Sequence, residues 1–147
     1  FGKKIGAMVF LGDVLKGVVA VLIGRLFGSS QVVTILCGLA VVIGHNWPAL
    51  MNFRGGKGIA TSIGVFLMYD PIVALICIAI GIIIIAVSKY VSLGSICGMA
   101  IFPLVNLVFS RGIQNFIFAF IISVIAIYKH RANIGRLIKG TENKLKL

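Results

Sequence analysis

The sequence predicts an all-α, polytopic integral membrane bundle, one domain over residues 1–147 with about six spans. Three observations predict it. Hydrophobic residues make up 60% of the chain, charged residues only 12%, and mean hydropathy is +1.15, where a soluble domain carries about a quarter charged residues. The apolar residues come in runs of helix-spanning length rather than at core spacing. The few charges fall mostly between those runs.

The first run covers about Ile5 to Phe27 and contains Asp13 and Lys16 one helical turn apart. Each would cost about 2.5 to 3.5 kcal/mol at the centre of an inserted helix, so the pair is expected to neutralise itself or face the bundle interior. The second runs from about Gln31 to Ile43. A third, shorter run covers Gly58 to Met68 and stops at Asp70-Pro71, where the fourth begins and continues to Val87. The fifth extends from Leu93 to Phe109 and the sixth from Ile113 to Tyr128, after which the chain turns polar. Several fall short of the roughly 20 residues that cross a hydrocarbon core, so they borrow flanking residues or thin the bilayer. No internal repeat and no linker interrupts the pattern.

Fourteen Lys and Arg face only Asp13, Asp70 and Glu142. Six spans place eleven of the basic residues on one side: Lys3, Lys4, Arg54, Lys57, Lys89, Lys129, Arg131, Arg136, Lys139, Lys144 and Lys146. The other side holds two, Arg25 and Arg111, with Lys16 inside a span. That asymmetry predicts a cytoplasmic basic face, and contacts with anionic lipid headgroups explain the charge without nucleic acid. Cys37, Cys77 and Cys97 lie in apolar runs without CxxC spacing and read as packed hydrophobes, not as metal ligands or a disulfide.

The densest polar segment, Gly44 to Thr61, joins the second and third runs on the basic side. Gly55, Gly56 and Gly58 around Lys57 let backbone N–H groups converge, and the following helix aims its positive end at the same point. A phosphate fits such a concavity, with Lys57 as a point charge and Arg54 as a fork of donors. Walker A is excluded, because Met51 and Gly58 stand where glycine and Ser or Thr are needed. A flexible turn with a topogenic lysine is the plainer reading.

Ser88, Ser92 and Ser95 recur at four and three residues, so on one helix they share a face beside Lys89; they read as packing serines or as site residues. His130 and Asn133, three apart, suit a polyol phosphate, while Lys129, Arg131 and Arg136 also suit lipid headgroups. There is no GxSxG elbow and no metal-ligand cluster, and with just one acid outside or between the later spans to orient a histidine a Ser-His-Asp mechanism is poorly supported. An enzyme built from these parts takes a substrate that arrives activated, positions it and binds its anions.

These segments, in this order, resemble the bacterial glycerol-3-phosphate acyltransferases that use acyl phosphate as donor. The resemblance covers the whole chain and is strongest at Gly44-His45, Pro48, Phe53 to Thr61, Lys89 with Ser92 and Ser95, and His130 to Arg136 with Gly140-Thr141-Glu142. It implies acyl transfer from acyl phosphate to the first hydroxyl of glycerol 3-phosphate, giving lysophosphatidic acid and phosphate without a protein nucleophile, metal or cofactor. It further implies Lys57, Ser95, His130 and Asn133 as the catalytic, glycerol-phosphate-holding residues. The implied substrate-binding set is His45, Arg54, Gly55, Gly56, Gly58, Thr61, Lys89, Ser92 and Arg131. The family pattern puts a further span and a Gly-Ser-Asn-rich loop with a functional serine and arginine ahead of Phe1, so an N-terminally truncated chain, with seven spans in the complete protein, is expected. The rival reading is a membrane anion transporter using the same loop, for which inverted repeats would be the mark.

Overall fold

The structure is a computed structural model that describes residues 2–28 and 30–145; Lys146, counted above on the basic side, lies outside the described residues. Among the described residues seven α-helices run in the order α1 (Lys3–Phe27), α2 (Gln31–Asn46), α3 (Ile59–Tyr69), α4 (Pro71–Ser88), α5 (Val91–Val108), α6 (Ile113–Lys129) and α7 (Arg131–Ile138), with a short 3-10 turn at Ala49–Met51. No strand occurs among the described residues. The helices α1, α4 and α5, and α2 taken together with the 3-10 turn to Met51, are long and apolar enough to cross a membrane, and α6 with α7, bent by 59°, makes a fifth candidate. At 11 residues α3 is about 17 Å long, too short to cross a core of about 30 Å by itself. The six expected spans are therefore four or five long ones and one short helix. The chain divides into two compact units with the boundary between Pro71 and Ile72.

In the first unit α1 packs against both other helices. Gly17 lies against Thr61 and Val65 of α3, Gly64 of α3 against Val14, and Arg25 donates to the carbonyl of Tyr69 at 3.3 Å, so α1 and α3 run parallel. Gly24 lies against Thr34 and Cys37, which sets α2 antiparallel. Glycine at these crossings lets backbones approach closely, the means by which helices associate where lipid removes the hydrophobic drive. Val21, Val42, Val65 and Phe66 fill the interior, while Leu11, Leu15, Leu26 and Leu36 point outward, as lipid-facing positions do.

Two expectations change here. The second helix runs past Ile43 to Asn46, so His45 and Asn46 are helical rather than part of the loop. Trp47 ends it, held out of the α region by Pro48. Because α1 and α2 are antiparallel, the last turn of α2 meets α1 at Asp13 and Lys16. The charged pair thus sits beside the polar loop and has a third member, His45.

In the second unit Gly81 of α4 meets Gly94 of α5, and Gly98 meets the carbonyl of Cys77, an antiparallel pair. Pro103 stands inside α5 and has no N–H for the carbonyl of Met99, four residues back. Ser123 of α6 supplies the missing donor at 2.5 Å. Phe102, Phe118, Ala119 and Ile122 are buried around that contact.

The serine spacing is also corrected. Helix α4 ends at Ser88 and α5 begins at Val91, with Lys89 left-handed at φ 64°. Ser88 therefore shares no helical face with Ser92 and Ser95. Its hydroxyl donates to Ile84 O at 2.6 Å and accepts from Tyr90 N–H at 3.2 Å, closing the helix end.

Candidate active site

The first unit carries the glycine loop. Ser62 N–H donates to Gly58 O at 2.8 Å and is the first bond of the α3 ladder, so the backbone N–H groups of Ile59, Ala60 and Thr61 precede it. They give the helix end its positive pole, which favours an anion. Gly58 starts α3 from φ 78°, a left-handed conformation in which a side chain is strained, and a Cβ there would also meet the Asn46 amide. Gly56 donates its N–H to His45 O at 3.2 Å, and a Cβ on Gly56 would run into Nε2 of His45. The loop glycines are thus required by close approach to the last turn of α2. Lys57 and Arg54 lie exposed on the loop.

Thr61 is not exposed at all and Ser62 only 1%; their hydroxyls have no hydrogen-bond partner among the described residues. Thr61 is therefore a buried residue of the α1–α3 contact in this structure rather than an open contact for a ligand. Met51 and Phe53, left with Leu50 on the surface, flank Asn52, and both Asn52 and Phe53 have positive φ, which turns the chain from the 3-10 segment into the glycine loop.

The second unit carries the other motifs. His130 joins α6 to α7 and is 2% exposed. Its Nδ1 lies 2.7 Å from Ala126 O, a carbonyl that can only accept, so Nδ1 carries a proton and the neutral ring keeps its lone pair on Nε2. One turn on, Asn133 is 4% exposed and donates its amide N–H to Oε1 of Glu142 at 2.6 Å. Ser92 of α5 donates to the same oxygen at 2.8 Å, and Arg136 Nε donates to Oε2 at 2.6 Å. Ser95 stands one turn after Ser92 on α5, half-buried.

Glu142 is what sequence reasoning missed. It was visible only as the lone acid in a basic tail and as the end of a matching run. Its side chain is 8% exposed, and the hydrogen bond from Asn133, then those from Ser92 and Arg136, hold its carboxyl down to about 2 against the upward push of burial. It reaches them because α7 ends in a Schellman turn: Gly140 at φ 67° donates to Leu137 O and Thr141 N–H donates to Arg136 O, which reverses the chain. The tail then closes on the α4–α5 turn, with Leu145 N–H on Lys89 O at 2.7 Å and Lys144 over the Tyr90 ring at 5.5 Å.

Of the residues singled out, Ser92 and Asn133 are brought together by Glu142, with His130 three residues from Asn133. Lys89 enters through its carbonyl. Arg131 folds back over the Tyr128 ring at 4.6 Å and donates to Tyr128 O at 3.2 Å. In the first unit Gly55 and Gly56 close on His45 and Gly58 on Asn46, with Lys57 and Arg54 on the same loop. No group of three or more metal-ligating side chains occurs among the described residues.

The family model for glycerol-3-phosphate acyltransferase matches residues 1–140. The chain is 53% identical over 145 residues to the glycerol-3-phosphate acyltransferase of Thermoanaerobacter sp. (strain X514), covering 98% of this chain and 72% of that protein. The corresponding protein of Alkaliphilus metalliredigens (strain QYMF) is 49% identical over 144 residues, with 98% and 72% covered. The structure resembles the crystal structure of PlsY, an integral membrane glycerol 3-phosphate acyltransferase, in its glycerol 3-phosphate form. The TM-score is 0.92 at 37% identity, over 99% of this chain and 74% of that one. A multi-pass, all-helical membrane protein with the glycine loop, the His130–Asn133 turn and the motif order described above, the chain belongs to the glycerol-3-phosphate acyltransferase family.

Proposed function

We propose that the protein transfers a fatty acyl group from acyl phosphate to the sn-1 hydroxyl of glycerol 3-phosphate, releasing lysophosphatidic acid and phosphate at the cytoplasmic face of the bacterial inner membrane. The observation that carries the reading is the pairing of two polar devices with an otherwise apolar chain. One is a lysine-bearing glycine loop at the positive end of α3. The other is a His130–Asn133 turn oriented by the hydrogen bonds of His130 to Ala126 and of Asn133 to Glu142, the second of which commits the amide nitrogen and presents the amide oxygen as the acceptor for a substrate hydroxyl. The glycerol 3-phosphate form of PlsY supports the same acceptor substrate.

Lys57, Ser95, His130 and Asn133 are the proposed catalytic set, holding glycerol phosphate. His45, Arg54, Gly55, Gly56, Gly58, Lys89 and Arg131 act as binding residues; Ser92 acts through Glu142 and Thr61 through packing. A mixed anhydride is already activated, so orientation and neutralisation of phosphate charge supply the catalysis. The excess of basic residues on one side supports the cytoplasmic placement.

The test is the protein in membranes with radiolabelled glycerol 3-phosphate and acyl phosphate. Lysophosphatidic acid forms with acyl phosphate as donor. No product above background, or equal product with acyl-CoA or acyl carrier protein thioesters alone, overturns the donor assignment.

A further inference from the structure

Asp13 and Lys16 belong to no part of the site described so far. Two charges in an otherwise apolar helix are expected to satisfy each other, and Lys16 Nζ does donate to Asp13 Oδ1 at 2.6 Å. The ammonium also lies at 2.5 Å from Nδ1 of His45, and Asp13 Oδ1 lies 3.4 Å from the same nitrogen. Two N–H donors cannot face each other at hydrogen-bond distance. The ammonium has donors only, so Nδ1 must be the acceptor, and the neutral imidazole then carries its proton on Nε2. That edge of the ring is the one against Gly56, where an added Cβ would meet Nε2 before any other atom. The backbone of the same residue holds the loop a second time, through Gly56 N–H on His45 O. His45 is therefore the platform of the glycine loop, and α1 fixes the platform.

We infer that Asp13 and Lys16 are positioning residues for the acyltransferase. Asp13 orients the Lys16 ammonium, the ammonium locks the rotamer and tautomer of His45, and His45 presents its Nε2–H edge to the Gly55–Lys57 loop, setting the loop's shape for a phosphate group. A bare structural pair explains Lys16 on Asp13 but not its second bond, which is made to the residue under the loop. The inference rests on the proposed phosphate role of that loop.

The test measures inhibition of acyl transfer by inorganic phosphate, the released product, in membranes containing each variant at matched levels. Lys16→Met and Asp13→Asn raise the inhibition constant about tenfold, and Lys16→Arg, which keeps two donors, restores it to within about threefold. In a His45→Ala background Lys16→Met adds nothing further, as required of two residues acting through one contact. If Lys16→Met does not accumulate in membranes, the neutral Asp13→Asn/Lys16→Met pair is measured in its place with the same expectation. An unchanged constant, or additive effects with His45→Ala, overturns the inference. Lys57→Ala run in parallel separates the two levels. If Lys57→Ala abolishes turnover while Lys16→Met leaves phosphate inhibition unchanged, only the positioning role fails. If Lys57→Ala stays active, the phosphate role of the loop fails first.

Discussion

The amide of Asn133 donates to Oε1 of Glu142 at 2.6 Å, and this bond decides which way Asn133 presents itself. With its nitrogen committed to a carboxylate, the amide offers its oxygen, an acceptor suited to a hydroxyl. Glu142 binds Ser92 and Arg136 as well, so α5, α7 and the tail are tied at one carboxylate.

Glu142→Gln tests that bond. An amide in place of the carboxylate brings its own N–H donors to a point already surrounded by Asn133, Ser92 and Arg136 donors, so at least one pair must part. With its oxygen kept toward Asn133 and Ser92 the new NH2 faces Arg136, so the Arg136 pair parts and Asn133 is held by a neutral acceptor in place of a carboxylate. Acyl transfer is expected to fall at least tenfold; Glu142→Asp, which keeps the charge, retains more activity than Glu142→Gln. Turnover per unit of inserted protein measures both.

The low carboxyl of Glu142 sets a pH window. Its folded value of about 2 lies below the ordinary glutamate value of about 4.3, so unfolding takes up a proton in that range. The stabilisation is fully present above the ordinary value and is lost as pH falls toward 2. Thermal midpoints in detergent should therefore change little through this group between pH 7 and 5 and decline below about 4. Glu142→Gln lowers the midpoint at neutral pH and flattens the decline; an equally steep acid decline in that variant removes Glu142 as its source.

Gly140→Ala acts on the same network from a distance. The turn that returns Glu142 to Asn133 needs φ 67° at Gly140, and a Cβ in that region costs about 1 kcal/mol. Nothing lies within 4 Å of a Cβ placed there, so the loss is conformational rather than steric. The expected result is a modest drop in thermal midpoint with a larger loss of turnover, and Gly140→Asn, which tolerates the left-handed region better, should fall between the two.

Most helices were legible because apolar runs broken by Gly, Pro and charge mark them directly: Pro71 opens α4 where expected, and α6 starts at Ile113 as read. The glycine loop and the His130 to Asn133 spacing were legible for the same reason, being polar islands in an apolar chain. What was not legible depends on chain reversal and on pairing between helices. The break at Lys89-Tyr90 falls between the fourth and fifth runs as read, but the left-handed lysine there takes Ser88 off the face of Ser92 and Ser95, which their spacing could not announce. Glu142 reads as a tail residue until the Gly140 turn folds it back. Asp13 and Lys16 read as a pair in mid-span because nothing in their spacing says that α2 ends beside them. His45 was singled out, but as a loop residue rather than as the last turn of a helix.

Ser123→Ala tests the fold apart from the site. The Met99 carbonyl, deprived of its intrahelical partner by Pro103, takes its hydrogen bond from Ser123. Losing an interhelical bond of this kind costs about 1 kcal/mol in a membrane protein. Thermal stability in detergent should fall accordingly while turnover is preserved at low temperature. Restoring the α5 ladder with Pro103→Ala in the same chain should recover the loss, since the carbonyl then regains its own N–H.

Lys57 carries the most direct prediction of the phosphate reading. It is exposed on a loop whose backbone is held from below by His45 and Asn46, so truncating it opens no buried cavity. Lys57→Ala should abolish turnover while the protein inserts at normal level. Lys57→Arg keeps the charge but replaces a compact ammonium with a longer planar fork, and partial activity is expected. Gly56→Ala is the complementary change: charge is kept, but the new methyl meets the His45 ring and the loop must shift. A displacement of about 1 Å in a positioning element is enough for a loss near a hundredfold. Loss of turnover in Lys57→Ala and Gly56→Ala together, with Lys57→Arg partly active, supports a phosphate held by both the lysine and the shaped backbone. Full activity of Lys57→Ala removes the lysine from the site and leaves it a topogenic charge on the basic face.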